Sequence, residues 1–125
     1  MKDRTTTLAD LKQRMAAFVA AREWQKFHKP KNLAMSLAIE AAELMEHFQW
    51  LTHEEADVAL ADPATRGQVA DEMSDVLAFL LSLANRTGID LAAAFEAKML
   101  KNEQKYPPDL VRGHYRRPQG DSAGD

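Results

Sequence analysis

The sequence predicts an all-α protein built like a four-helix bundle, and three observations carry that expectation. The apolar residues are mainly Ala, Leu, Met and Val, while Gly and Pro number five each in 125 residues, a balance that favours helix over sheet. Apolar side chains recur every three to four positions in long runs, which is the helical period. The stretches Leu33 to Leu51 and Val69 to Leu83 each place two acids three residues apart, Glu40 with Glu43 and Glu72 with Asp75. Residues at that spacing share one face of a helix. A chain of this length suits one compact domain, expected over residues 1–106, with 107–125 as a flexible polar tail.

A first helix is predicted from a Thr7 cap to about Phe27, because Leu8, Leu11, Met15, Phe18 and Val19 recur at helical spacing. It carries Trp24 and His28, four apart and so on one face. Lys29-Pro30-Lys31-Asn32 reads as a turn, since Pro30 disfavours helical geometry at the residue before it. The second helix is predicted from Leu33 to Leu51. Counted from Glu40, its Leu33, Leu37, Ala41, Leu44, Met45, Phe48 and Leu51 fill an arc of about 20° to 140°, the core face. His47, Ser36, Glu43 and Trp50 occupy the strip on the other side of Glu40.

Thr52 and Glu55 have the spacing of a capping box, so a short helix is expected before Asp62-Pro63 breaks the chain. A third long helix is predicted over about Ala64 to Arg86, with Val69, Met73, Val76, Leu77, Leu80 and Leu83 on one broad face and a stop at Thr87-Gly88. Glu72 points into that apolar seam, flanked by Phe79, Val76 and Leu83 within about 40°. The last helix is predicted from an Asp90 cap to about Lys105. Its stripe of Leu91, Phe95, Lys98, Asn102 and Lys105 mixes core residues with cations and an amide.

Composition narrows the chemistry. The absence of cysteine removes disulfides and thiolate metal sites and fits a reducing cytoplasm. The first ten residues lack the apolar stretch of a signal peptide, and the longest apolar run, Val76 to Leu81, is far short of the ~20 residues a membrane span needs. The expectation is a soluble cytoplasmic protein with no membrane partner. A formal charge of −3 offers no general attraction to nucleic acid polymers, and Arg112, Arg116 and Arg117 read as a solvated basic tail.

Most acids on helices are solvated. Glu72 differs, because an ionised carboxylate in an apolar arc is costly unless a cation compensates it. No Lys or Arg lies three or four residues from Glu40, Glu43, Glu72 or Asp75, so the compensating charge comes from another helix or from a bound metal. An all-carboxylate set is hard and suits Mg²⁺, or Mn²⁺, over softer ions. No histidine follows a glutamate by three residues, unlike di-iron bundles. His47 is placed to orient a carboxylate or simply to sit on the surface. Trp50, seven residues after Glu43, stands ~10 Å further along the same strip, the order of separation between metal-bound phosphates and a base, and an indole offers a stacking face. Core packing is the competing use of both Trp24 and Trp50. Lys98, Asn102 and Lys105 add donors for phosphate oxygens, or complement the helix dipole.

Glu40-x-x-Glu43, followed after 28 residues by Glu72-x-x-Asp75, resembles the MazG-like all-α nucleoside triphosphate pyrophosphohydrolases. The likeness extends to their dCTP pyrophosphatase branch through Arg22 to His28, Pro30 to Leu33, Phe48-Gln49-Trp50 and the run from Lys98 through Asn102 to Tyr106-Pro107. It covers roughly Leu8 to Pro107. Met15 and Lys105 depart from it, standing where the animal dCTP enzymes carry His and Arg. The resemblance implies Mg²⁺ held by Glu40, Glu43, Glu72 and Asp75, phosphate contacts from Lys98 and Asn102, and a base pocket shaped by Trp24, His28, Trp50 and Tyr106. It also implies a homotetramer, a dimer of dimers, with sites formed between protomers. The expected reaction is hydrolysis of a (deoxy)nucleoside triphosphate, dCTP or a modified cytosine analogue, to monophosphate and pyrophosphate, with Glu43 as general base. Two other readings fit the same residues: a nucleotide- and metal-binding module without turnover, and a helical oligomerisation domain with structural ion pairs.

Overall fold

The computed structural model describes residues 1–114, and among these there are helices and no strand. They are α1 (Leu8–Ala21), a 3₁₀ turn (Gln25–Phe27), α2 (Pro30–Glu46), α3 (His53–Ala61), α4 (Pro63–Thr87), α5 (Leu91–Lys105) and α6 (Pro108–Val111). The all-α expectation is met. Two compact units divide the chain, one from Met1 to Gly88 and one from Ile89 onward.

In the first unit, α4 is the central element: α2 packs along it most extensively, and α1 and α3 also rest on it. The core is small, made of Val19, Leu33, Val69, Leu81 and Ala84. Leu33 is the most enclosed, with 2% of its surface exposed. Leu33→Ala is therefore expected to cost about 2–5 kcal/mol of stability, read from urea unfolding. A loss below about 1 kcal/mol would mean that this core collapses around the gap.

Local caps set most boundaries. Thr7 closes a capping box at α1, accepting from the Asp10 amide at 3.1 Å while its own amide donates to Asp10 Oδ2 at 2.8 Å. Thr52 and Glu55 repeat that device at α3, at 3.2 and 3.3 Å. Asp62 ends α3 and also caps α4, accepting from the amide and the hydroxyl of Thr65, each at 3.0 Å. Pro63 follows as the first residue of α4, where a missing amide hydrogen costs nothing. Gly88 closes α4 at φ 71°, and its amide donates to the Ala84 carbonyl.

Three boundaries differ from the sequence expectation. The first helix stops at Ala21, six residues before Phe27, because the chain closes a Schellman turn there. The Glu23 amide donates to the Ala20 carbonyl and the Trp24 amide to the Val19 carbonyl, with Glu23 at φ 53° in a position glycine usually takes. Trp24 and His28 consequently do not share a helical face. α2 begins at Pro30, since Lys29 is extended and Pro30 fits the first helical position. α2 ends at Glu46, where three-residue bonds from His47 to Leu44 and from Phe48 to Met45 tighten the last turn. Trp50 thus lies past the helix and off the strip that carries Glu40 and Glu43.

The second unit starts from the Asp90 cap, whose carboxylate accepts from the Ala93 amide at 2.9 Å. Along α5, Leu91, Asn102 and Lys105 are half-buried, whereas Phe95 and Lys98 are exposed. The tail expected from residue 107 begins with the single turn of α6; Arg116 and Arg117 lie outside the described residues. Among the described residues, no single helix is long and apolar enough to cross a membrane.

Candidate active site

The α2–α4 seam brings Glu40 and Glu43 against Glu72. Glu40 and Glu43 lie one turn apart on α2, and Glu72 projects from the facing helix beside buried Val69. One carboxylate oxygen from each of the three falls within 4.8 Å of the others. Glu40 Oε2 and Glu72 Oε2 are buried and have no hydrogen-bond partner among the described residues. Such orphaned acceptors are uncommon in proteins and ask for a cation or proton. His47, one turn after Glu43, sets its Nε2 3.9 Å from Glu72 Oε1, too far for a hydrogen bond. Asp75 is exposed and lies outside the three-carboxylate group.

Like charges at this spacing resist joint ionisation. Glu40 is pushed up to about 7, first by a hydrogen bond shared with the Glu43 carboxyl, then by burial, then by the charges of Glu43, Asp75 and Glu72. Glu72 is also raised, chiefly by burial and then by Glu43, and His47 opposes the shift. Both groups bind protons more tightly folded than unfolded, so their contribution to stability is full at low pH and is lost as pH rises; for Glu40 the loss runs from about 4.5 to about 7. With a chelator present, Tm is expected to fall across that window in a thermal unfolding series. A rising Tm there would contradict the strain assigned to the cluster.

This donor set fits a small divalent cation: every ligand atom is a carboxylate oxygen, and Glu40 and Glu72 each also carry a buried oxygen without a hydrogen-bond partner among the described residues. Such an ion cancels the mutual repulsion that the raised groups record.

The other expected site residues are distributed more widely. Trp24 packs its ring edge-on to Phe18, with centroids 5.9 Å apart. Trp50 is 86% exposed. His28 lines a cavity of about 630 Å³, set between α1, the 25–28 segment and the C-terminal half of α4. Lys98, Asn102, Lys105 and Tyr106 belong to the second unit, where the Lys105 ammonium stands 5.8 Å from the Tyr106 ring centre. The sequence reading did not anticipate Ser82, Asn85, Gln25 or Lys26, which also line that cavity. One signal was present: Ser82 interrupts the apolar run of α4 seven residues after Asp75.

The chain matches the MazG-like family over residues 35–113 and belongs to that family. Among its relatives, dCTP pyrophosphatase 1 of Rattus norvegicus is 42% identical over 107 residues, covering 86% of this chain and 63% of the relative. The Homo sapiens dCTP pyrophosphatase 1 is 40% identical over 111 residues, covering 89% and 65%. The chain thus spans just under two thirds of the length of these relatives. A crystal structure of a pyrophosphatase from Archaeoglobus fulgidus superposes with a TM-score of 0.76 at 39% identity, covering 86% of this chain and 98% of the other.

Proposed function

We propose that this protein is a Mg²⁺-dependent nucleoside triphosphate pyrophosphohydrolase that acts on dCTP or a modified cytosine analogue. Water adds across the bond between the α- and β-phosphates, giving the nucleoside monophosphate and pyrophosphate. The observation that carries this reading is the set of three converging carboxylates with two partnerless buried oxygens, in a chain similar to enzymes named dCTP pyrophosphatase.

Glu40, Glu43, Glu72 and Asp75 would hold Mg²⁺, with Mn²⁺ as an alternative of the same hard class. When bound, the ion neutralises the phosphate chain and polarises the α-phosphorus. Glu43 interacts with both Glu40 and Glu72, and this central position supports its role as the base that takes a proton from the attacking water. Lys98, Asn102 and Lys105 are assigned to phosphate oxygens, and Trp24, His28, Trp50 and Tyr106 to the base.

We further infer a homotetramer arranged as a dimer of dimers. The exposed side of α2 supports self-association: Ala34, Met35, Ala38, Ile39 and Ala42 are exposed and apolar, and so are Ala41 and Met45, which periodicity places on the core face but which α4 leaves uncovered. A contiguous exposed apolar face of this kind marks an interaction surface. Nucleotide pools and a chain without cysteine fit a cytoplasmic setting. Neither a membrane nor a nucleic acid polymer is needed by this reading.

The test incubates purified protein with each deoxynucleoside triphosphate and Mg²⁺ and identifies the phosphate product. Pyrophosphate with the matching monophosphate is expected, with dCTP turned over best. Orthophosphate as the first product would overturn the reaction, and tight dCTP binding without product would leave a binding module.

A further inference from the structure

The carboxylate cluster does not use one cavity of the first unit, of about 630 Å³. Its volume falls in the range of small-molecule sites. Gln25, Lys26 and His28 line one side, and Ser82, Asn85 and Arg86 of α4 line the other. Asn85 is anchored, its amide donating to the Lys12 carbonyl of α1 at 3.0 Å. Ser82 is not: only 4% of it is exposed, yet its hydroxyl has no hydrogen-bond partner among the described residues. A helical serine can satisfy itself on the carbonyl one turn back, as the exposed Ser74 does on Ala70 at 2.8 Å.

The position of Ser82 gives that hydroxyl a use. Seven residues separate it from Asp75, which places both on nearly the same side of α4 about 10 Å apart along the axis. That is the reach from a metal-bound phosphate chain to the base of the same nucleotide. Trp50 does not occupy the corresponding place on α2, because the helix ends at Glu46. A hydroxyl both donates and accepts, as does the Gln25 amide, so together they suit the mixed polar edge of a nucleobase better than a purely apolar ring.

We propose that Ser82 is a specificity-determining residue, reading the hydrogen-bonding edge of the nucleotide base in the cavity between α1, the 25–28 segment and the C-terminal half of α4. The inference rests on the pyrophosphohydrolase reading; of the residues assigned there to the base only His28 lines this cavity, and Ser82 is added to it as the group that reads the base edge.

Ser82→Ala and Ser82→Thr are compared with wild type on the full set of deoxynucleoside triphosphates. Because the hydroxyl makes no bond among the described residues, Ser82→Ala is expected to melt no lower than wild type. Ser82→Ala lowers kcat/KM for the preferred base by roughly tenfold, the value of one neutral hydrogen bond, and compresses the ranking of bases. The Mg²⁺ concentration for half-maximal rate stays fixed, and Ser82→Thr keeps the wild-type ranking. An unchanged ranking and unchanged kcat/KM in Ser82→Ala would overturn the proposal while leaving the reaction standing. Titration of the deoxynucleoside monophosphates into metal-free protein separates the other case. If wild type hydrolyses nothing but Ser82→Ala binds the best monophosphate roughly tenfold more weakly, the reaction falls and the base site stands. If that binding is equal in both proteins, the base site falls.

Discussion

Glu72→Gln is expected to lower kcat/KM by about 10²–10³-fold, the usual cost of removing one electrostatic element from a reacting centre, while leaving metal-free protein at least as stable as wild type. The two effects have one cause. Glu72 is a half-buried carboxylate with one partnerless oxygen, and its proton affinity is raised by burial and by Glu43. An amide of the same shape carries no charge to repel Glu43, so the apo chain gains. The same amide is a poorer ligand for a hard cation, so stabilisation by added Mg²⁺, seen as a rise in Tm in wild type, shrinks or disappears. Full activity in Glu72→Gln, or an undiminished Mg²⁺-dependent rise in Tm, would remove Glu72 from the proposed metal set.

Ile39→Lys is expected to convert the proposed tetramer to smaller species at micromolar concentration without unfolding the chain. Ile39 is 58% exposed and Met35, one turn before it, 55%, so a lysine there fits the isolated chain. In a self-association interface it would place an unpaired ammonium among Ala and Met side chains, a change that weakens interfaces by at least ~30-fold, about 2 kcal/mol. Sedimentation velocity reads the mass and far-ultraviolet dichroism the helix. If the mass is unchanged over a dilution series with helix intact, this face is not the contact. If sites form between protomers, hydrolysis falls along with the mass.

What could be read in advance divides along a physical line. Three helix starts were legible because they are local chemistry. Thr7, Thr52 and Asp90 each bond an amide three residues on, a relation written in the order of residues. Asp62 makes the same bond but reads with Pro63 as a break, and Pro30 reads as a turn although it opens α2. The ends of α1 and α2 were not legible. Glu23 takes a left-handed conformation without being glycine, and nothing between Glu46 and Thr52 is a helix breaker. Those stops come from how the chain must turn to pack on α4.

The site divides the same way. Glu40, Glu43 and Glu72 were found by spacing and by the cost of a charge in an apolar seam, and the structure brings them together. Asp75 shares their repulsion while remaining exposed. The cavity around Ser82 could not be read, because it exists only once α1 and the 25–28 segment are laid beside α4. A serine inside an apolar run looks the same in sequence whether or not its hydroxyl is satisfied.

The Schellman turn after α1 has a kinetic consequence. Bonds from Glu23 and Trp24 back to Ala20 and Val19, with Arg22 stacked 3.7 Å over the Phe18 ring, leave only Gln25 to Lys29 between two stiff anchors, since α2 starts at Pro30. A tether that short has little configurational freedom left to surrender. That wall of the cavity is in place before any guest arrives, so the rate of entry there is governed by encounter and shedding of water, with no slow folding of a loop around the guest.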